Sequence, residues 1–180
     1  MNWKKLSSEY ISNHIYFTAR KDVCEMPDGY IVDPYFVVEM PTSVCAMAIT
    51  ENNEVILAEQ YRHPLAESII EIPGGFIDEA ELSDTAIARE LLEETGYEFS
   101  DYIFLARVAA NPGVLNNYTD LYLATGGKKV AAQQLDAHEE IKLKLVPVDE
   151  VRRMLLNNEF KQAMHVACLF HAFIKLDSEK

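Results

Sequence analysis

The stretch Pro73–Tyr97, PGGFIDEAELSDTAIARELLEETGY, carries the decisive pattern of the chain. From about Ser83 to Thr95 it reads as a helix, with Ser83 as N-cap, Leu82 and Ile87 as a hydrophobic staple and Gly96 as the C-terminal cap. The Pro73-Gly74-Gly75 loop ahead of it calls for backbone angles that side chains resist. From Pro73 to Gly96 there are seven acids and one base, Arg89, a local net charge of 1 − 7 = −6. On a helical wheel turning about 100° per residue, Glu90, Glu93 and Glu94 fall within an arc of about 100°. Ile87, Ala88, Leu91 and Leu92 fill the adjoining face. One side packs, and the next presents three converging carboxylates.

Such an arrangement is unfavourable for a bare helix. Like charges spaced three or four residues apart cost roughly 0.2–0.5 kcal/mol per pair, and the negative end of the helix dipole opposes acids near the C-terminus. A solvated acidic face is the ordinary reading of a Glu-Glu pair. Clustering beside an apolar face, behind a Gly-Gly loop, favours a binding role instead. Hard oxygen ligands converging on one spot suit Mg²⁺ or Mn²⁺, which keep waters and bridge to phosphates. A divalent ion would also let an acidic protein accept an anionic substrate.

The rest of the chain fits an ordinary globular protein. Its 180 residues are 49% hydrophobic and 25% charged, which excludes disorder and suits one domain, with or without an appendage. Sixteen basic and 29 acidic residues give a net charge of −13, so nucleic acid and anionic membranes are not expected partners. No apolar run approaches the roughly 18 residues of a membrane span. The start, Met1 to Ser7, has no apolar signal core. Cys24, Cys45 and Cys168 are far apart and read as reduced thiols, so the expected location is cytoplasmic.

Ile15 to Thr18 and Tyr35 to Val38 read as strands, with a turn at Met26-Pro27-Asp28-Gly29 between them. Val44 to Ile49 and Val55 to Ala58 flank a hairpin turn at Asn52-Asn53, and Ile69 to Ile72 runs into the glycine loop. Ile103 to Ala109, Leu121 to Ala124 and Ile141 to Val146 are strand-like. Helices are expected over about Val148 to Leu156 and Lys161 to Leu176, the latter with a core stripe of Ala163, Ala167, Phe170 and Ile174. Strands interspersed with helices imply a mixed sheet covered by helices. The five histidines, His165 among them, have no metal-ligand spacing, and Trp3 reads as a surface-packed ring rather than a base-stacking one.

Gly75, five residues, Glu81, seven residues, then Arg89-Glu90-Leu91-Leu92-Glu93-Glu94-Thr95-Gly96-Tyr97 resembles the Nudix box. Seven fixed positions at about one in twenty each give a chance match of about 10⁻⁹ per starting point. Glu59-Gln60-Tyr61-Arg62 and Glu71-Ile72-Pro73-Gly74-Gly75-Phe76-Ile77-Asp78 resemble the run into the box in the ADP-ribose and nucleoside diphosphate sugar pyrophosphatase branch. Pro112, fifteen residues after Tyr97, stands where that branch usually has its proline, whereas Gly74 replaces its usual alanine.

The resemblance implies an α/β fold, a Nudix-type α/β/α sandwich with a mixed sheet, plus a small N-terminal antiparallel sheet. Residues 1–43 would form the strand segment that joins a homodimer, and 44–180 the hydrolase domain. It implies Mg²⁺, with Mn²⁺ as substitute, held by Glu90 and Glu94, with Glu93 and the Gly74 carbonyl contributing. Arg89 and Glu81 would form a structural ion pair. Arg62, Glu71 and Pro112 would lie at the substrate, Arg62 with a fork suited to a diphosphate; Glu71 could equally brace the loop. Gly126 to Glu140 reads as a mobile covering loop. Its end, His138-Glu139-Glu140, resembles the place of a catalytic glutamate, with Glu139 first and Glu140 second as general base, and Glu93 a further catalytic candidate. The implied reaction is hydrolysis of the diphosphate bond in ADP-ribose or a related nucleoside diphosphate sugar. The alternatives are pyrophosphate removal from nucleoside triphosphates and a non-catalytic nucleotide sensor.

Overall fold

The computed structural model describes residues 2–14, 17–136 and 139–178. The chain divides into two compact units, one running to Pro41 and taking in Ala109–Tyr118, the other formed by Thr42–Val108 and the chain from Thr119 onward. In the first unit, β1 (Lys4–His14), β2 (Phe17–Glu25) and β3 (Ile31–Glu39) form an antiparallel sheet in that order. The turn between β2 and β3 is closed by the Gly29 N–H on the Met26 carbonyl at 2.9 Å. Segment 109–118 attaches through the Val38 N–H on the Val114 carbonyl and the Met40 N–H on Asn116 Oδ1. Trp3 packs edge-to-face on Tyr35, with ring centroids 6.0 Å apart. Ile15 and Tyr16, half of one expected strand, lie outside the described residues.

The second unit contains β4 (Ser43–Thr50), β5 (Glu54–Arg62), β6 (Glu67–Glu71), α1 (Ser83–Thr95), β7 (Tyr97–Glu98), β8 (Asp101–Val108), β9 (Thr119–Lys129), β10 (Ile141–Pro147), α2 (Val148–Leu156) and α3 (Ala163–Ser178). The sheet runs β10-β5-β4-β9-β7, with β6 paired to β5 and β8 to β9. The β4–β9 pairing is parallel and the others are antiparallel. Successive strand residues face opposite sides, and β4 uses both. Cys45, Met47 and Ile49 pack with α2 and α3, through Val151, Leu155, Leu169 and Phe173. Val44, Ala46 and Ala48 pack with Ala86, Ile87 and Leu91 of α1. Burying Ile87 and Leu91 completely stabilises this layer by about 1.5–3 kcal/mol each. The result is the α/β/α sandwich with a mixed sheet that the resemblance implied.

Four local expectations are corrected, the first in α3: Phe170 and Ile174 of the expected core stripe are exposed, and Cys168, Leu169, Ala172 and Phe173 face the core instead. Helix α1 spans Ser83–Thr95, but its N-cap is Leu82 and no side chain caps it. The Ser83 hydroxyl instead bonds Asp120 Oδ2 and Tyr122 Oη, both at 2.7 Å, because a buried carboxylate one strand away competes for it. Leu82 is 70% exposed, so no staple forms. The expected loop from Gly126 is shorter than read: β9 continues through Gly126, Gly127, Lys128 and Lys129, held by backbone pairing of Gly127 to β4 and of Lys128 and Lys129 to β7 rather than by an apolar pattern.

Candidate active site

The glycine loop, α1 and the segment after β9 surround a cavity of about 620 Å³. Arg89 organises one wall. Its Nε and Nη2 donate to the two oxygens of Glu81 at 3.0 and 2.9 Å, and Nη2 also reaches the Phe76 carbonyl at 3.0 Å. Its Nη1 donates to Glu90 at 2.8 Å and to Glu93 at 3.1 Å. One guanidinium therefore ties the loop to the helix and aligns two carboxylates. The bond from Arg89 holds the Glu81 carboxyl below its usual range, and that bond in turn raises Arg89.

Glu94 sits differently. It is 8% exposed, and its Oε2 accepts the Gly74 N–H at 2.9 Å. Burial pushes its carboxyl up to about 8, and the negative charges of Glu90 and Glu139 act in the same direction against the Gly74 bond. Burial also raises Glu90, although Arg89 opposes the shift. The two glycines make this crowding possible. A Cβ on Gly74 would overlap the Val44 carbonyl, and one on Gly75 would lie 2.5 Å from the Glu90 carboxylate. Among the described residues no three acids or imidazoles already close on one point; Glu90 and Glu93 turn to Arg89, and Glu94 turns to Gly74. The donor set nevertheless fits a divalent cation: hard oxygens, one of them buried beside like charges that a cation would relieve.

The C-terminal carbonyls of α1 meet the chain that follows β9. Val130 and Ala131 N–H both donate to the Gly96 carbonyl, Gln134 N–H to Glu93 and Lys129 Nζ to Thr95. Gln133 Nε2 donates to the Glu94 carbonyl at 2.7 Å and to the Ile141 carbonyl at 3.3 Å. The segment read as mobile is thus anchored along Lys129 to Gln134, because these are the orphan acceptors of a helix end. It delivers Asp136 and Glu139 to the cavity. Glu139 Oε2 accepts the Asp136 N–H at 3.1 Å. His138, part of the same motif, lies outside the described residues.

Arg62, at the end of β5, forms another wall with Gln162, Met164 and His165. Glu71, on the neighbouring β6, grips it: Arg62 Nε donates to both carboxylate oxygens at 3.2 and 3.1 Å, and Nη2 to Oε2 at 2.7 Å. The Glu71 side chain is 3% exposed and lies behind Arg62, off the cavity wall. Gly74, Glu90, Glu93, Glu94, Arg62 and Glu139 therefore share one cavity, while Glu140 does not line it. Pro112 belongs to the smaller unit, in segment 109–118. Sequence reasoning missed Gln133, Asp136 and His165. None has a spacing signal, and His165 sits in a helix whose pattern reads as core.

Residues 40–166 match the NUDIX domain family, and residues 3–38 match the nucleoside diphosphate sugar hydrolase N-terminal domain. An ADP-ribose pyrophosphatase of Mycobacterium tuberculosis is 31% identical over 92% of this chain and 81% of its own. A methanol dehydrogenase activator of Bacillus methanolicus is 36% identical over 82% of this chain and 80% of its own. The crystal structure of an ADP compounds hydrolase has the same fold, with a TM-score of 0.87 at 21% identity, covering 99% of this chain and 96% of that one. With its box intact around a single cavity, the chain belongs to the Nudix family of hydrolases.

Proposed function

We propose that the protein hydrolyses the diphosphate bond of ADP-ribose or a related nucleoside diphosphate sugar, giving a nucleoside monophosphate and a sugar phosphate. One observation carries this reading: the carboxylates Glu90, Glu93 and Glu94 face the same cavity as the guanidinium of Arg62. A cavity with an acidic pole and a cationic pole suits a substrate whose two phosphoryl groups are held by different chemistry. The names of the relatives and the N-terminal family match favour this substrate class over nucleoside triphosphates.

Glu90 and Glu94, with Glu93 and the Gly74 carbonyl, would hold Mg²⁺, for which Mn²⁺ can substitute. When bound, the ion polarises the phosphoryl oxygens and offsets leaving-group charge. Arg89 keeps Glu90 and Glu93 in place, Glu71 fixes the guanidinium of Arg62 through Nε and Nη2, and the remaining guanidinium donors bind the diphosphate. Glu139 takes a proton from the attacking water as general base. The test is a panel of ADP-ribose, GDP-mannose, UDP-glucose and nucleoside triphosphates with Mg²⁺, read by product chromatography. Monophosphate plus sugar phosphate from the diphosphates is expected, and release of pyrophosphate from triphosphates alone would overturn the assignment.

We also propose a homodimer assembled through the N-terminal sheet. Large apolar side chains stand exposed there, including Leu6, Tyr10, Ile11, Phe17, Ile31 and Phe36. Such a concentration on a small sheet marks an interaction surface. Light scattering should give about twice 20.4 kDa. A truncation that begins at Val44 should lose both dimerisation and substrate binding; a monomeric full-length chain at working concentration would contradict the proposal. The free cysteines, Cys45 and Cys168 both buried, suit a reducing cytoplasm, and no helix among the described residues is long and apolar enough to cross a membrane.

A further inference from the structure

His165 stands in the first turn of α3 and is more than nine-tenths buried, yet it lines the active-site cavity beside Arg62. Its Nδ1 accepts the N–H of Ile72 at 3.4 Å, on the strand end that leads into the glycine loop. An imidazole whose Nδ1 is an acceptor carries its proton on Nε2. That Nε2 has no hydrogen-bond partner among the described residues and is not sealed from the cavity. A donor that opens on the cavity and has no protein partner is free to donate to whatever the cavity holds.

The surroundings narrow what that acceptor is. Two first-turn amides of α3 are already occupied, since Gln162 Oε1 accepts the Met164 N–H at 2.6 Å and the His165 N–H at 3.4 Å. Among the donors this wall offers are the part of the Arg62 guanidinium not held by Glu71 and the Nε2–H of His165. Burial, with the nearby charge of Arg62, pushes the imidazole down to about 3, so it stays an uncharged donor at neutral pH. A fixed cation beside a fixed neutral donor, facing a wall of carboxylates, suits an anionic oxygen.

We infer that His165 is a substrate-binding residue whose Nε2–H donates to an oxygen of the phosphoryl group held at the Arg62 wall. The inference deepens the diphosphate hydrolase reading and depends on it. The diphosphate then spans the cavity, one phosphoryl at the carboxylates and the other between Arg62 and His165. No bond is made or broken by His165, so its effect falls on affinity.

Two substitutions separate this role from a structural one. His165→Asn places an acceptor where Nδ1 stands, keeping the Ile72 N–H satisfied, and removes the Nε2 donor. His165→Gln supplies a donor near the Nε2 position and loses the Nδ1 acceptor. With the best substrate of the panel, His165→Asn should raise KM about 10- to 100-fold, the range for a hydrogen bond to a charged group, with kcat within about twofold. His165→Gln should recover much of that KM even where its thermal stability is lower. Competitive inhibition by one of the two phosphate products should weaken in parallel in His165→Asn. An unchanged KM and unchanged product inhibition in a folded His165→Asn would overturn the inference. So would a KM that follows melting temperature across both variants. A wild-type enzyme that turns over no nucleoside diphosphate sugar would instead refute the functional reading beneath it, a result visible before either variant is made.

Discussion

Replacing Glu94 with glutamine is expected to lower turnover by orders of magnitude while leaving the fold intact. Glu94 is buried, accepts the Gly74 N–H and lies close enough to Glu90 and Glu139 to feel both charges. Glutamine keeps the shape and an oxygen for Gly74, but it removes the charge on which divalent-ion binding at this pole depends. Chelator should likewise abolish turnover of the wild type, and Mg²⁺ or Mn²⁺ should restore it. Full activity in chelator would refute the proposed mechanism.

Stability provides a second readout. An acid whose folded pKa is raised favours the folded state most when protonated. For Glu94, with a usual carboxyl value of 4.5 and about 8 in the fold, that contribution is complete below about 4.5 and lost as pH rises through about 8. The melting temperature of chelated wild-type protein should therefore carry a downward component between pH 5 and pH 8, which Glu94→Gln removes. His165 has the opposite window. Its imidazole is held near 3, so its contribution is complete above about 6.5 and lost as pH falls towards 3. Comparing melting curves of wild type and Glu94→Gln at matched pH isolates the Glu94 part. Adding Mg²⁺ at pH 8 should raise the melting temperature of the wild type more than that of the variant.

Much of this centre was legible before the fold was known, because its spacing is helical. Glu90, Glu93 and Glu94 share an arc by arithmetic alone, and Arg89 and Glu81 are linked across the loop as the box implied. The bounds of α1 and α2 follow from apolar periodicity, Gly96 and the short turns beside them. What stayed hidden depends on tertiary partners. Ser83 is a good local cap, but Asp120 and Tyr122 are equally reachable once β9 lies alongside. Gly126 to Lys129 has no apolar alternation and still continues the strand, because Gly127 pairs with β4 and Lys128 and Lys129 with β7. Gln133 is one polar residue among many until the end of α1 offers it a carbonyl. His165 is invisible for a similar reason: its partner is 93 residues earlier in the chain.

The position of Glu139 yields the other large effect. Glu139→Gln is expected to reduce kcat by roughly 10²–10⁴-fold with little change in KM, the signature of a lost proton-transfer group. Glu140→Gln should do much less. The two residues are adjacent and both exposed, so burial does not separate them; direction does. Glu139 faces the cavity and its charge acts on both Glu90 and Glu94, whereas Glu140 does not line it and adjoins the start of β10. The carboxylates on α1 are committed to Arg89, to Gly74 and, when it is bound, to the cation. Among the described residues the Glu139 carboxylate accepts a hydrogen bond only from the Asp136 N–H, through Oε2, and it lines the cavity where water would enter. The tether matters as much as the charge. Gln133 joins the Glu94 carbonyl to the Ile141 carbonyl, two residues after the proposed base, so the end of α1 is tied to the start of β10. Single-turnover rates should therefore show the Glu139→Gln loss in the chemical step itself. Equal, small losses from Glu139→Gln and Glu140→Gln would return the base to the helix and leave this segment the task of closing the cavity.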